Sequence, residues 1–356
     1  MNRKLRFVQI TIIATTCIWS MLRETASGQS GAPAGDELGM ARGLGPATWA
    51  RCAEHISNPK AKVYELSHVR SSTMPLSPFA GAFEPKYLPT GGLPGTTQLF
   101  NMEVLNENAN PAQQGTQMDA LGHFAHVDKA WDGTSPLSVE GARYYGGLTQ
   151  KDVKPTPDSP LLKLGMDKAP PIVTTAILLD ARKHVGGGNP MKAGEVVTPQ
   201  HIEGMLEAQG LKKRGILPGD VVYVYTGWSD RYQDPDTDKV YYTKAPGLSY
   251  EAAKYLGDRR VVAVGFDTPF LDAIADGQLA GTAAPPPGTP AGMAFPVHDY
   301  FLTQAGIHNL ENVKLDDLAR DQVSTSCTIV LPLREKGAAG SPIRPVAIGV
   351  PGLEKE

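Results

Sequence analysis

Nine consecutive residues place an amide, a carboxylate and an imidazole close together: Gly115-Thr116-Gln117-Met118-Asp119-Ala120-Leu121-Gly122-His123. Oxygen and nitrogen donors gathered in this way can surround a metal ion and leave a titratable group for proton transfer. A second cluster, His298 and Glu311, lies far downstream. Metal ligands usually come from distant segments, so the separation is no obstacle. Each residue also has a plain structural reading. His123 could be a core histidine donating to a backbone carbonyl. Asp119 could brace the Gly115-Thr116 turn. Glu311 could open a surface helix continued by Leu315 and Leu318, and His298 could pack at a helix start beside Phe301 and Leu302.

These groups need a framework of strands and helices. Ile177-Leu178-Leu179-Asp180, Val221-Val222-Tyr223-Val224-Tyr225-Thr226, Val261-Val262-Ala263-Val264-Gly265 and the run 328–333 are short, β-branched or aromatic, and bounded by turn residues. They read as strands buried on at least one face. Thr198 can cap a helix with Pro199 at its first position, Ile202, Met205 and Leu206 on one face, and Gly210 as its stop. Ser249 can cap another that carries Ala252, Ala253 and Leu256 inward and ends at Gly257. Strands and helices interleave without a linker, so one mixed α/β domain of about 300 residues is expected. With 356 residues, 41% of them hydrophobic, the chain can bury a sizeable core. The formal net charge of −3 gives no footprint for nucleic acid. The 38 Gly and 30 Pro predict many turns rather than a helical bundle.

Residues 1–28 read as a signal peptide. A basic Asn2-Arg3-Lys4-Leu5-Arg6 precedes an apolar run over 8–22, and Ala26-Ser27-Gly28 offers small residues for cleavage. The apolar run is short of the roughly 20 residues a spanning helix needs, so export to the periplasm or the extracellular space is expected, with no stable membrane insertion after cleavage. Residues 29–58 then read as a flexible segment ahead of a domain over 59–356. Cys17 leaves with the signal. Cys52 and Cys327 remain, and an oxidising compartment would let them pair; equally, Cys327 could be a buried strand residue without a partner.

In family order, the chain resembles the cyclase family of metal-dependent hydrolases, which includes bacterial kynurenine formamidase, isatin hydrolase and trans-dienelactone hydrolase. The resemblance opens at Val63-Tyr64-Glu65-Leu66-Ser67-His68 and Met74-Pro75. The signature HxGTHxDxxxH aligns with the stretch from Gln113 to His123. Gly219-Asp220-Val221-Val222, Gly265-Phe266-Asp267-Thr268-Pro269, Phe295-Pro296-Val297-His298 and Leu310-Glu311-Asn312 follow, and Gly340-Ser341-Pro342 closes the series. It implies an α/β fold with a central barrel-like sheet, the swivelling β/β/α arrangement, and a homo-oligomer. It also implies Asp119, His298 and Glu311 as metal ligands and His123 as the acid–base residue. Two signature histidines are replaced by Gln113 and Gln117. A neutral amide oxygen is a weaker donor than imidazole, so one of the family's two metal positions should be weakened. The expected cofactor is therefore one firmly held divalent metal, zinc or manganese, with Gln117 and Gln113 as auxiliary donors at a second, weaker position, or with Gln117 as a substrate-orienting amide. The glutamine form resembles the lactone-hydrolysing branch more than the formamidase branch. His126 matches no family position and reads as structural, as does His68.

The chemistry so implied is hydrolysis of a small amide, cyclic amide or lactone. The metal would polarise the carbonyl and acidify water, and His123 would act as general base and then acid. No G-x-S-x-G elbow is present, which argues against a serine α/β-hydrolase. The turn-rich segment 283–296 could form a rim over the pocket. The alternative function is an exported small-molecule-binding protein that keeps the pocket without turnover.

Overall fold

β-Branched and aromatic runs without alternation belong to strands covered on both faces, and they form the centre of one sheet. The computed structural model describes residues 33–106 and 114–352. Nine strands make the sheet: β1 (Lys62–Glu65), β2 (Gln117–Asp119), β3 (Ile172–Asp180), β4 (Val221–Tyr225), β5 (Ala263–Phe266), β6 (His308–Glu311), β7 (Thr325–Val330), β8 (Gly340–Pro342) and β9 (Val346–Gly349). Their spatial order is β1-β9-β7-β3-β4-β5-β6-β2-β8. The central strands β3, β4, β5 and β6 are parallel. The strands flanking them on either side pair antiparallel.

Side chains alternate between two cores. Tyr64, Met118, Leu178, Tyr223, Ala263, Leu310 and Ala347, from strands across the whole sheet, meet in one apolar cluster. Such a meeting requires the sheet to curl around them. The opposite face, with Ile177, Leu179, Val222, Val224, Val264 and Phe266, is covered by helices. Helix α1 spans Pro46–Ile56, α2 spans Pro199–Ala208 and α3 spans Tyr250–Asp258. Thr198 Oγ1 accepts from His201 N at 3.2 Å, and Ser249 Oγ accepts from Ala252 N at 3.1 Å, so both expected caps form. Ile202, Met205 and Leu206, and Ala252, Ala253 and Leu256, point inward as the spacing requires. The strands begin or end within a few residues of the expected runs; β3 is longer, starting at Ile172.

Over its described part, 33–58, the segment expected to be flexible is docked. Met40 and Ala41 are buried, and Met40 N donates to Gly306 O at 2.7 Å. Helix α1, with Pro46 at its first turn, packs on β3, β7 and β9. A Cys52–Cys327 disulfide fastens it to β7 across a separation of 275 residues. Composition rich in Gly and Ala reports local freedom, and it is silent about docking and cross-linking. Replacing both cysteines with serine should lower stability by about 2–5 kcal/mol, the usual effect of losing a native disulfide. A lower urea midpoint in Cys52→Ser/Cys327→Ser checks this, and an unchanged midpoint would mean that α1 docks without the bond. The expected signal peptide at 1–28, with Cys17, lies outside the described residues, as does Gln113. Among the described residues no helix is long and apolar enough to cross a membrane.

Candidate metal centre

Strand periodicity places the donors. Met118 and Leu310 are opposite one another on the curled side of the sheet. Their neighbours Gln117, Asp119 and Glu311 therefore point to the helix-covered side. Glu311 is thus a strand residue, buried, and the helix Asp316–Arg320 begins only later. Asp119 likewise ends a strand, where a turn-bracing role was the plain expectation. Gly115, at φ +79°, makes the turn that leads into β2. Its carbonyl accepts from Asn312 Nδ2 at 2.8 Å, and Thr116 Oγ1 donates to Asn312 O at 2.7 Å. These bonds fix Gln117 opposite Glu311. His298 comes from the short helix Pro296–Asp299, which runs into a π-helical turn, Tyr300–Ala305. Such turns occur often at functional sites.

Asp119, His298 and Glu311 each offer one ligand atom, and these atoms lie within 4.8 Å of one another. His298 Nδ1 donates to Asp272 Oδ2 at 2.5 Å. With Nδ1 so engaged, Nε2 faces Glu311 Oε1 at 2.9 Å and Asp119 Oδ2 at 3.6 Å. Two buried carboxylates against one ring nitrogen call for positive charge between them, from a metal ion or from a proton on Nε2. Gln117 Oε1, Asp119 Oδ1 and Glu311 Oε1 are buried and accept no hydrogen bond, while Gln117 Nε2 donates to Glu311 Oε2 at 2.7 Å. A buried polar group left unpaired costs about 1–3 kcal/mol. The residues therefore fit a divalent cation with mixed nitrogen and oxygen donors.

The charges agree. Burial and the nearby Asp119 carboxylate push Glu311 above the ordinary carboxylate range. Burial opposes a charge on His298, yet Asp272 and Glu311 outweigh it and raise its pKa well above the ordinary value, so without a metal a proton on Nε2 supplies the positive charge that the carboxylates require. His123 lines the same cavity. Burial lowers its pKa, opposed by Asp119 and reinforced by His298, so its imidazole is neutral at pH 7. Tyr242 also lines the cavity; burial keeps its phenol protonated, and its oxygen accepts from Asn312 Nδ2 at 3.2 Å.

The family model for Cyclase matches residues 64–273, more than half of the chain. The chain belongs to the Cyclase family. The crystal structure of a novel cyclase is 21% identical, with a TM-score of 0.69 over 88% of this chain and 94% of that one. An isatin hydrolase bound to the product analogue thioisatinate is 19% identical, with a TM-score of 0.54 over 84% and 96%. Isatin hydrolase A from Ralstonia solanacearum is 20% identical, with a TM-score of 0.52 over 86% and 98%. At these identities the likeness shows the fold. No curated protein matches the chain.

Within this cyclase-family protein the two histidines read as structural stay outside the ligand set. His126 pairs through Nδ1 with Asp299 Oδ1 at 2.9 Å. His68 stacks on Tyr232 with ring centroids 3.8 Å apart, and burial pushes its pKa down to about 4. Of segment 283–296 only Phe295 lines the cavity. Sequence reasoning missed Asp272, which also accepts from Val297 N at 2.6 Å and His298 N at 3.3 Å. Its signal was an acid alone in the apolar run Phe270-Leu271-Asp272-Ala273-Ile274. His308 was left unassigned, yet its Nδ1 donates to the Asp119 carbonyl at 2.9 Å and so helps to set that residue's position.

Proposed function

We propose that this chain is a metal-dependent hydrolase of a small amide, cyclic amide or lactone. Asp119, His298 and Glu311 would hold one divalent cation, zinc or manganese, with Gln117 Oε1 as an auxiliary donor. The observation that carries this reading is the convergence of His298 Nε2 and two buried carboxylates, with ligand atoms within 4.8 Å of one another. When bound, the cation supplies a Lewis acid that polarises the scissile carbonyl and acidifies water. His123, neutral and in the same cavity, accepts the proton from water and returns it to the leaving nitrogen or oxygen. Tyr242, held protonated, is available to orient the carbonyl by hydrogen bonding. The Cys52–Cys327 bond supports export to an oxidising compartment. A panel of aryl formamides, cyclic imides and lactones tests the reading. Cleavage that is lost on chelation and restored by zinc or manganese is expected, and binding without any cleavage would favour a binding protein instead.

Asp272 acts through His298 rather than on substrate. By accepting from Nδ1 it selects the tautomer that presents Nε2 and holds the ring in place. Asp272→Asn should weaken the cation by about 10–100-fold, the usual cost of losing such a partner. Competition against a chelator measures this, and an unchanged affinity would assign Asp272 to capping the Pro296–Asp299 helix alone.

A further inference from the structure

Ahead of α1, residues 35–42 form a strap that lines no part of the cavity, yet it braces both turns that carry the cavity's polar groups. One is the turn Leu121–His123. Glu37 Oε2 accepts from Leu164 N at 2.9 Å, and Leu164 O accepts from Gly122 N at 3.0 Å, one residue before His123. The other is the π-helical turn Tyr300–Ala305 that continues the helix bearing His298. Gly306, at φ +68°, ends that turn, and its carbonyl accepts from Met40 N at 2.7 Å. Tyr145 packs so closely on Gly306 that a Cβ there would meet Tyr145 Cζ at 2.5 Å. The Tyr145 hydroxyl in turn donates to Asp36 Oδ2 at 3.0 Å, and Arg42 pairs with the same carboxylate.

The tightest fit is at Gly39. Its φ of +58° lies in the left-handed region. An added Cβ would overlap Gly306 O and come within 3.0 Å of Leu121 Cδ1. Gly39 is therefore wedged between the end of one turn and the start of the other. Close-packed interiors transmit such displacements, so a strap pushed outward takes its hydrogen bond to Gly306 with it. The groups that hold a metal ligand in place govern its affinity nearly as much as the ligand does.

We propose that the strap is a positioning element for the cation site, acting on His298 through Gly306, so that zinc affinity depends on Gly39, Asp36 and Glu37 although none of them reaches the cavity. The proposal rests on the metal-site reading for what is bound, and on the packing of Gly39 against Gly306 for the support.

The test compares the parent protein, Gly39→Ala and Gly210→Ala by two measurements: hydrogen exchange across 300–307, and zinc affinity by competition with a chelator. Gly210 also has a left-handed φ, +73°, with nothing within 4 Å, so its alanine variant carries backbone strain without a collision. Gly39→Ala should speed exchange across 300–307 by about tenfold or more. It should weaken zinc by about 10–100-fold, with excess zinc restoring occupancy. Gly210→Ala should change neither. Asp36→Ala/Glu37→Ala removes two half-buried anchors and should move both readouts in the same direction, so it serves if Gly39→Ala does not fold. Exchange unmoved in the strap variants, zinc affinity unmoved in a loosened turn, or an equal loss in Gly210→Ala would each overturn the proposal. The two readings fail separately. A parent that binds no zinc, with 300–307 loosened by Gly39→Ala, removes the metal site and leaves the strap as the support of that turn. A parent that binds zinc equally well with and without the strap contacts does the reverse.

Discussion

Replacing Glu311 with glutamine is expected to leave the protein folded and nearly free of metal. The substitution removes one of two carboxylates that face His298 Nε2. It also relieves the burial of a carboxylate and its repulsion with Asp119, the two effects that push the Glu311 pKa up, and a glutamine keeps an oxygen to accept from Gln117 Nε2. What goes is charge at the cation. A ligand's own loss should exceed the roughly 10–100-fold that outer-shell changes cost. Elemental analysis of purified Glu311→Gln should then find well under one metal per chain, with an unfolding midpoint at or above that of the metal-stripped parent. Metal content equal to the parent's would remove Glu311 from the site.

His123→Ala is expected to keep the metal and lower turnover by about 10²–10⁴-fold, the range for a positioned general base. The pH dependence follows from the lowered pKa. A base must be neutral, so the rate is full above the His123 pKa and falls tenfold per pH unit below it. Burial sets that pKa below the ordinary imidazole value of 6.5, so the acid limb should lie below pH 6.5 and vanish in the alanine variant. Loss of metal in His123→Ala would make His123 a ligand. Full activity would move the proton elsewhere. His126 is a poor substitute, because it does not line the cavity.

Much of the framework was legible because local chemistry determined it. Thr198 and Ser249 cap helices through their own hydroxyls, and the runs around Leu178, Val222 and Val264 are strands because branched and aromatic side chains fill a doubly covered sheet. The meeting of Asp119, His298 and Glu311 was legible only through the order of motifs along the chain. No local feature brings a helix at 296–299 over two strands at 117–119 and 308–311. The surroundings of Glu311 misled for the same reason: Leu315 and Leu318 do lie at helical spacing, but the helix starts at Asp316 and Glu311 pairs in register with Gln117. Asp272 was hidden because its role lies in the hydrogen bonds it accepts from residues 25 and 26 positions downstream. The docking of α1 was hidden because a disulfide partner 275 residues away leaves no mark on local composition.

The proposed hydrolysis depends on a single cation held by Asp119, His298 and Glu311. Chelator-stripped protein titrated with zinc or manganese, followed by calorimetry and by cleavage of a responsive lactone or imide, tests it most directly. The predicted result is one saturable equivalent per chain, with activity rising in step and reaching its full value at that equivalent. Cleavage that persists unchanged in stripped protein, or no saturable binding at all, would contradict it.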